Sequence, residues 1–215
     1  MLALNFPVKA GPLKILCLGA HSDDIEIGCG GTILRLFSNH NEAEIVWVVF
    51  GATNQREQEA RTSAALFLSR VKKKKVVVKN FRDGFFPFEG TKIKECFEEL
   101  KTTTPDIIFT HQRNDAHQDH RLLAELTWNT FRNHLILEYE IPKYDGDLGQ
   151  PNLFVPLDRE IYEQKVDYLM RAFATQRSKQ WFDKDTFLGL MRLRGMECVS
   201  PTSHAEAFYC RKIVV

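Results

Sequence analysis

The stretch that decides the fold is residues 14–28, KILCLGAHSDDIEIG, where an apolar segment passes directly into a charged turn. Residues 14–18, KILCL, form an apolar run of strand length. Residues 21–24, HSDD, contribute nothing to a core, so we expect them just beyond the end of that strand. Ligands of open α/β sheets bind at this position, outside the carboxyl ends of the strands. His21 and Asp24 are three residues apart, a spacing that lets both side chains point to one side of a tight turn.

Short apolar runs and helical patterns alternate outward from this stretch. Strands are predicted at 14–18, 44–50, 75–78, 106–110, 135–140, 153–157 and 207–215, and helices at 32–37, 55–68, 93–100 and 159–173. Gly28, Gly30 and Gly31 predict a tight turn that leads into the first helix, with Thr32 as its cap. Continuous apolar strands separated by helices favour a Rossmann-like α/β fold, with a mainly parallel sheet, helices on both faces and a single domain.

A second polar cluster, HQRNDAHQDH at residues 111–120, follows the fourth predicted strand. Three of the seven histidines of the chain fall in it. Because both clusters follow parallel strands, they should open onto the same edge of the sheet. Imidazole and carboxylate groups together suit zinc or a similar divalent ion. The residues alone leave open which of His117 and His120, and which of Asp23 and Asp24, binds the metal.

Composition excludes several classes of function. The chain of 215 residues has a formal net charge of +1, which gives no reason to expect a nucleic-acid partner or a membrane surface. The basic run Lys72–Lys75 is typical of a solvated turn. No stretch of 18 apolar residues predicts a membrane span. The five cysteines form no CxxC pair, and a reducing cytoplasm is the expected location.

Several catalytic motifs are absent. The chain has no HExxH of zincin proteases, no HxE with PCxxC of zinc deaminases, and no GxSxG of serine hydrolases. Gly28-Cys29-Gly30-Gly31 resembles part of a dinucleotide fingerprint, but Ile33 stands where its last glycine is required. A dinucleotide-binding domain therefore stays a weaker alternative, which predicts cofactor uptake in place of a bound metal.

The two clusters resemble the motifs of the LmbE-like, or PIG-L, zinc-dependent N-deacetylases. The family's usual AHPDDE reads AHSDDI here, with Ser22 in place of proline and Ile25 in place of glutamate, and neither position is a ligand in that family. The resemblance continues in the glycines that follow this motif. It also includes the motif Asp115-x-His117-x-Asp119-His120 and shorter stretches at 139–142 and 205–208, so that it covers most of the chain. The whole chain, residues 1–215, is accordingly expected to be one LmbE-like deacetylase domain.

The resemblance assigns a role to each site residue. It implies one Zn²⁺ per chain, or another divalent ion in its place, with three ligands and an open position for water. It makes Asp23 the general base, His117 a protonated group that stabilises the oxyanion, and Asp119 the partner that orients His117. Arg56 and His111 are expected to bind substrate. The expected metal ligands are His21, Asp24 and His120.

The resulting hypothesis is a hydrolase that removes acetyl from an amino sugar or glycoside of the N-acetylglucosamine type. The alternatives are a metal-dependent amidase for another N-acyl small molecule and a catalytically silent relative that binds metal or ligand. The expected partner is the small-molecule N-acetylated sugar itself. Relatives of this kind often form homo-oligomers, so a homo-oligomer stays open.

Overall fold

A seven-stranded sheet forms the centre of the protein, for which a computed structural model describes residues 11–39 and 43–214. The strand order is β3-β2-β1-β4-β5-β7-β6. The first five strands along the chain pair in parallel, and β7 pairs antiparallel with both β5 and β6. The strands are β1 (Lys14–His21), β2 (Glu44–Gly51), β3 (Lys73–Val78), β4 (Ile107–His111), β5 (Leu135–Tyr139), β6 (Leu153–Pro156) and β7 (Ala205–Cys210).

Within residues 11–39 and 43–214, six α-helices cover the two faces of the sheet. They are α1 (Asp24–Asn39), α2 (Gln55–Phe67), α3 (Gly90–Leu100), α4 (Gln118–Thr130), α5 (Arg159–Ala172) and α6 (Lys184–Glu197). Helices α1, α2, α5 and α6 pack on one face, and α3 and α4 pack on the other. Short 3-10 helices lie at Phe86–Glu89, Lys101–Thr103 and Ala174–Gln176.

Strand β1 shows why both faces are covered. Side chains alternate along a strand, so Ile15 and Cys17 enter one apolar core while Leu16 and Leu18 enter the other. A strand buried on both faces needs apolar residues at every position, which is the pattern that predicted it. The predicted α/β fold with a mainly parallel sheet and helices on both faces is confirmed.

The structure differs from the predictions at several boundaries. Helix α1 begins at Asp24, eight residues before the predicted start, so Gly28–Gly31 is helical and not a turn. Strand β3 begins at Lys73, which places most of the basic run in a strand at the edge of the sheet. Helices α4 and α6 were not predicted.

Two glycines of α1 are required by close packing. A Cβ at Gly28 would lie 2.2 Å from the Tyr139 ring, and one at Gly31 would lie 2.6 Å from Leu157. Both distances are far below van der Waals contact. The glycine-rich segment therefore lets β5 and the chain after β6 approach α1 closely. This close packing explains the glycines, and a turn is not needed to account for them.

Candidate metal centre

Three predicted ligands, His21, Asp24 and His120, bring one donor atom each to a common point. His21 Nδ1 lies 3.1 Å from His120 Nε2 and 3.5 Å from Asp24 Oδ2. The third side of the triangle, from His120 Nε2 to Asp24 Oδ2, is also 3.5 Å. A tetrahedral zinc site with bonds of 2.0–2.1 Å keeps its ligand atoms about 3.3 Å apart. The three donors therefore fit one zinc-sized ion.

The fold explains how residues so far apart in the chain meet. His21 is the last residue of β1, Asp24 opens α1, and His120 lies in the first turn of α4, just after β4. Strands β1 and β4 are parallel neighbours, so the loops that follow them share one edge of the sheet. All three side chains are buried. The main-chain N–H of His21 donates to Asp24 Oδ2 at 2.6 Å, and this bond holds the Asp24 carboxylate beside the end of β1.

Each of the two histidines has a carboxylate at the ring nitrogen that faces away from the common point. Asp119 Oδ2 lies 3.2 Å from His21 Nε2, and Asp115 Oδ2 lies 3.0 Å from His120 Nδ1. A carboxylate in this position favours a proton on the outer nitrogen and leaves the inner nitrogen free for a metal. The arrangement is typical of histidines that bind metal.

The partner of Asp119 differs from the prediction. Its carboxylate bonds to His21 and to the main-chain N–H groups of Gly84 and Phe86, at 2.7 and 3.1 Å, and it does not orient the ring of His117. The prediction was wrong because His117 precedes α4 with extended backbone angles, whereas the Asp119 carboxylate is held by His21 and by the main chain of the loop at Gly84 and Phe86. Burial opposes ionisation of Asp119, but the hydrogen bonds from His21 and the main chain outweigh it and lower its pKa.

The Asp23 carboxylate, which precedes the predicted ligand Asp24 in the chain, is buried with one oxygen unused. Its Oδ1 accepts from Arg56 Nη2 at 3.3 Å, whereas its Oδ2 is buried without a hydrogen-bond partner among the described residues. Burial and the neighbouring Asp24 raise the pKa of Asp23, although Arg56 acts in the opposite direction. A buried carboxylate with a raised pKa and a free oxygen is suited to accept a proton.

Arg56 is held by the site itself. Its Nε donates to Ser22 Oγ at 3.0 Å, and its Nη1 donates to Asp83 Oδ2 at 3.3 Å. Proline cannot accept such a bond, so Ser22, the departure from the family's AHPDDE, gives Arg56 an additional anchor. Its expected contact with substrate stays a prediction.

His117 is the N-cap of α4 and lies with its ring edge toward His21. Its Nδ1 accepts from the main-chain N–H of Asp119 at 3.3 Å, so the neutral ring carries its proton on Nε2. Burial and the nearby His21 lower the pKa of His117. The structure therefore favours a neutral N–H donor over the protonated ring that was predicted.

His111 does not lie where a substrate could reach it. The residue is fully buried, and its Nε2 accepts from the main-chain N–H of Ala20 at 3.0 Å. It lies behind Asp24, with its ring stacked on His120 at 3.8 Å between centroids. Asp24, His111 and His120 could also group around an ion. Ala20 donates to Nε2 of His111, but Nδ1 of His111 is buried without a hydrogen-bond partner among the described residues, so that set stays an alternative. The predicted contact with substrate is wrong for this residue.

Sequence reasoning missed Asp83. Its Oδ1 lies 3.1 Å from His21 Nε2, and its side chain is 55% exposed. It belongs to a larger potential metal-binding group with His21, His117 and Asp119. The signal that would have found it is its position in the loop after β3, which ends at the same edge of the sheet as β1.

Residues 16–131, which include both polar clusters, match the PIG-L family, described as GlcNAc-PI de-N-acetylase. Among the described residues, no helix has the length and apolarity needed to cross a membrane.

Solved structures share the fold at low sequence identity. N,N'-diacetylchitobiose deacetylase from Pyrococcus horikoshii is 23% identical, with a TM-score of 0.66 over 91% of this chain and 82% of that one. The zinc-inhibited form of teicoplanin deacetylase Orf2 is 12% identical, with a TM-score of 0.69 over 91% and 97%. GalB, a 4-carboxy-2-hydroxymuconate hydratase from Pseudomonas putida KT2440, is 14% identical, with a TM-score of 0.73 over 94% and 98%. Because this fold also carries a hydratase, the fold alone does not decide the reaction.

Proposed function

This chain belongs to the PIG-L family and is an N-deacetylase, and we propose that it removes acetyl from an amino sugar or glycoside of the N-acetylglucosamine type, using one Zn²⁺ per chain. The observation that carries the proposal is the triangle of His21, Asp24 and His120, with sides of 3.1–3.5 Å, together with the buried and unpartnered oxygen of Asp23, the residue before Asp24. A metal site with three protein ligands and an adjacent base suits hydrolysis.

When bound, zinc would lower the pKa of a water molecule to about 7 and polarise the acyl carbonyl. Asp23 would take the proton as the water oxygen adds to the amide carbon. The same carboxyl would then give that proton to the nitrogen as the C–N bond breaks. The products are the free amine and acetic acid, which ionises to acetate by releasing its proton to solvent, and Asp23 returns to its ionised form.

His117 would act as a neutral hydrogen-bond donor. Its Nδ1 is occupied by the N–H of Asp119, which directs the ring proton to Nε2. A fixed donor is most useful where negative charge develops on the carbonyl oxygen during the reaction. His117 would therefore both cap α4 and stabilise the oxyanion.

We propose that Arg56 both tethers Asp23 and contacts the sugar, since a quarter of its side chain, 23%, stays exposed. The five cysteines are free, which supports a reducing, cytoplasmic location. We further propose that residues 1–215 form one deacetylase domain.

The test is acetate release from protein stripped of metal and then reloaded with zinc. Substrates should include N-acetylglucosamine, its glycosides and its phosphorylated forms, with N-acetylated amino acids as the matched panel that lacks a sugar. We expect about one divalent ion per chain and release from the sugars. Metal-free protein that stays folded and fully active would overturn the metal-dependent mechanism. Release from the amino acids alone would overturn the sugar assignment.

A further inference from the structure

Lys143 is a buried lysine in the loop after β5, beyond the part of the chain that matches the family. Its side chain is only 8% exposed. A buried ammonium group is costly unless anions surround it, so its partners indicate what the position is for. Those partners are two carboxylates, Asp115 Oδ1 at 3.1 Å and Asp147 Oδ2.

Asp115 connects this lysine to the metal centre. Its Oδ1 also accepts the main-chain N–H of His117 at 2.8 Å, and its Oδ2 faces Nδ1 of His120. Asp115 Oδ2 and His120 Nδ1 lie 3.0 Å apart, and both are buried without a hydrogen-bond partner among the described residues. One carboxylate therefore joins Lys143 to a predicted metal ligand.

The loop itself is fastened to the segment that carries Asp115. Asp147 accepts the main-chain N–H of Ala116 at 2.6 Å, and its carbonyl oxygen accepts from Gln112 Nε2 at 3.1 Å. Lys143 thus lies between two carboxylates that belong to different loops. Without the charge of Lys143, the carboxylates of Asp115 and Asp147 would repel each other where the two loops meet.

We propose that Lys143 is a positioning residue for the metal centre, which holds Asp115 against His120 and so keeps His120 oriented toward the metal. The inference rests on the proposed function, because it takes His120 to be a zinc ligand. Removal of a residue that orients a metal-binding histidine typically costs 10- to 100-fold in metal affinity.

The experiment measures the zinc dissociation constant of the full chain by competition with a fluorescent chelator. We expect Lys143→Met to raise that constant about tenfold or more and Asp115→Asn to raise it similarly. If the two residues act as a unit, the double variant should bind no more weakly than Asp115→Asn alone. Lys143→Arg, which keeps the charge, should recover part of the affinity.

Arg194→Met is the matched control. Arg194 is also a cation with an 8% exposed side chain, and it binds Glu140 and the carbonyl of Gly149 at the other end of the same loop. The zinc-induced rise in melting temperature should shrink in Lys143→Met but persist in Arg194→Met. The inference is wrong, and the proposed function stands, if Lys143→Met binds zinc with wild-type affinity. The same holds if the double variant binds zinc more weakly than Asp115→Asn alone, or if Arg194→Met weakens zinc binding as much as Lys143→Met does. Wild-type protein that binds no zinc would overturn both.

Discussion

Lys165 Nζ lies 2.6 Å from Glu206 Oε1, and this buried pair supplies hydrogen bonds to the main chain of α1. Lys165 donates to the carbonyl of Ile27 at 2.6 Å, the acceptor that Gly31 would use in a regular α-helix. Glu206 accepts the N–H groups of Gly31 and Thr32 at 2.8 and 2.6 Å. The helix that begins with Asp24 is therefore supported from α5 and β7 in its second turn.

Replacement of Lys165 by methionine should destabilise the fold strongly. The change leaves the carboxylate of Glu206 buried without its cation, a loss that costs about 3–5 kcal/mol in comparable buried pairs. The measurement is the free energy of unfolding from urea titration. Arg171→Met, which breaks the exposed pair with Asp167 on the same helix, should change it by at most about 1 kcal/mol. Equal effects of the two changes would contradict the role given to Lys165.

Replacement of Asp23 by asparagine should abolish turnover without loss of the metal. The amide cannot take a proton from water, and a general base contributes about 10²–10⁴-fold. The measurement pairs kcat with zinc content per chain. Asp167→Asn, on the exposed surface of α5, is the control and should leave both unchanged. Full activity of Asp23→Asn would mean that another group is the base.

Replacement of Arg56 by methionine should act on kcat more than on KM. Arg56 is bonded to Asp23, so its loss releases the proposed base, and a tenfold fall in kcat corresponds to about 1.4 kcal/mol. Steady-state kinetics separate the two constants. Arg61→Met, one turn further along α2 and paired with Glu57, is the matched control. A rise in KM with unchanged kcat would instead indicate that Arg56 only binds substrate.

Two replacements of His117 distinguish a neutral donor from a charged one. Loss of one donor to an oxyanion costs about 10²–10³ in kcat, which is the expectation for His117→Ala. His117→Gln keeps an N–H donor and cannot be protonated, so it should retain at least about tenfold more activity than His117→Ala. Both variants should lose about 1 kcal/mol of stability through the missing cap. Equal inactivity of the two would favour an imidazolium.

The sequence predicted those parts of the candidate site whose residues lie close together in the chain. Residues 14–24 predicted both a central strand and the position of His21 and Asp24 at its end, because an apolar run that stops abruptly at charged residues is typical of a buried strand that reaches the edge of its sheet. The second polar cluster was placed correctly for the same reason. Glycine-rich residues 28–31 were misread, since a turn and a closely packed helix require the same small residue.

The residues that complete the site could not be predicted, because their partners are distant in sequence. Lys143 and Asp83 meet the site from loops that carry no recognisable motif. The partner of Asp119 depends on which face of α4 meets the loop after β3, and spacing cannot specify that. Helices α4 and α6 were missed because their buried faces include polar residues, namely Asp119, His120 and Thr127 in α4 and Arg194 in α6, which interrupt the apolar pattern.

Strand β3 ends the sheet on one side, and its exposed residues Lys73, Lys74 and Lys75 bear on how the protein avoids aggregation. An edge strand leaves main-chain groups free to recruit a strand from another molecule. Lysine side chains on an edge strand are hard to bury in a new sheet, and this holds for Lys73, which is paired with Glu44 at 2.7 Å, as well as for Lys74 and Lys75. We therefore expect the basic run to oppose the pairing of β3 with an edge strand of another molecule.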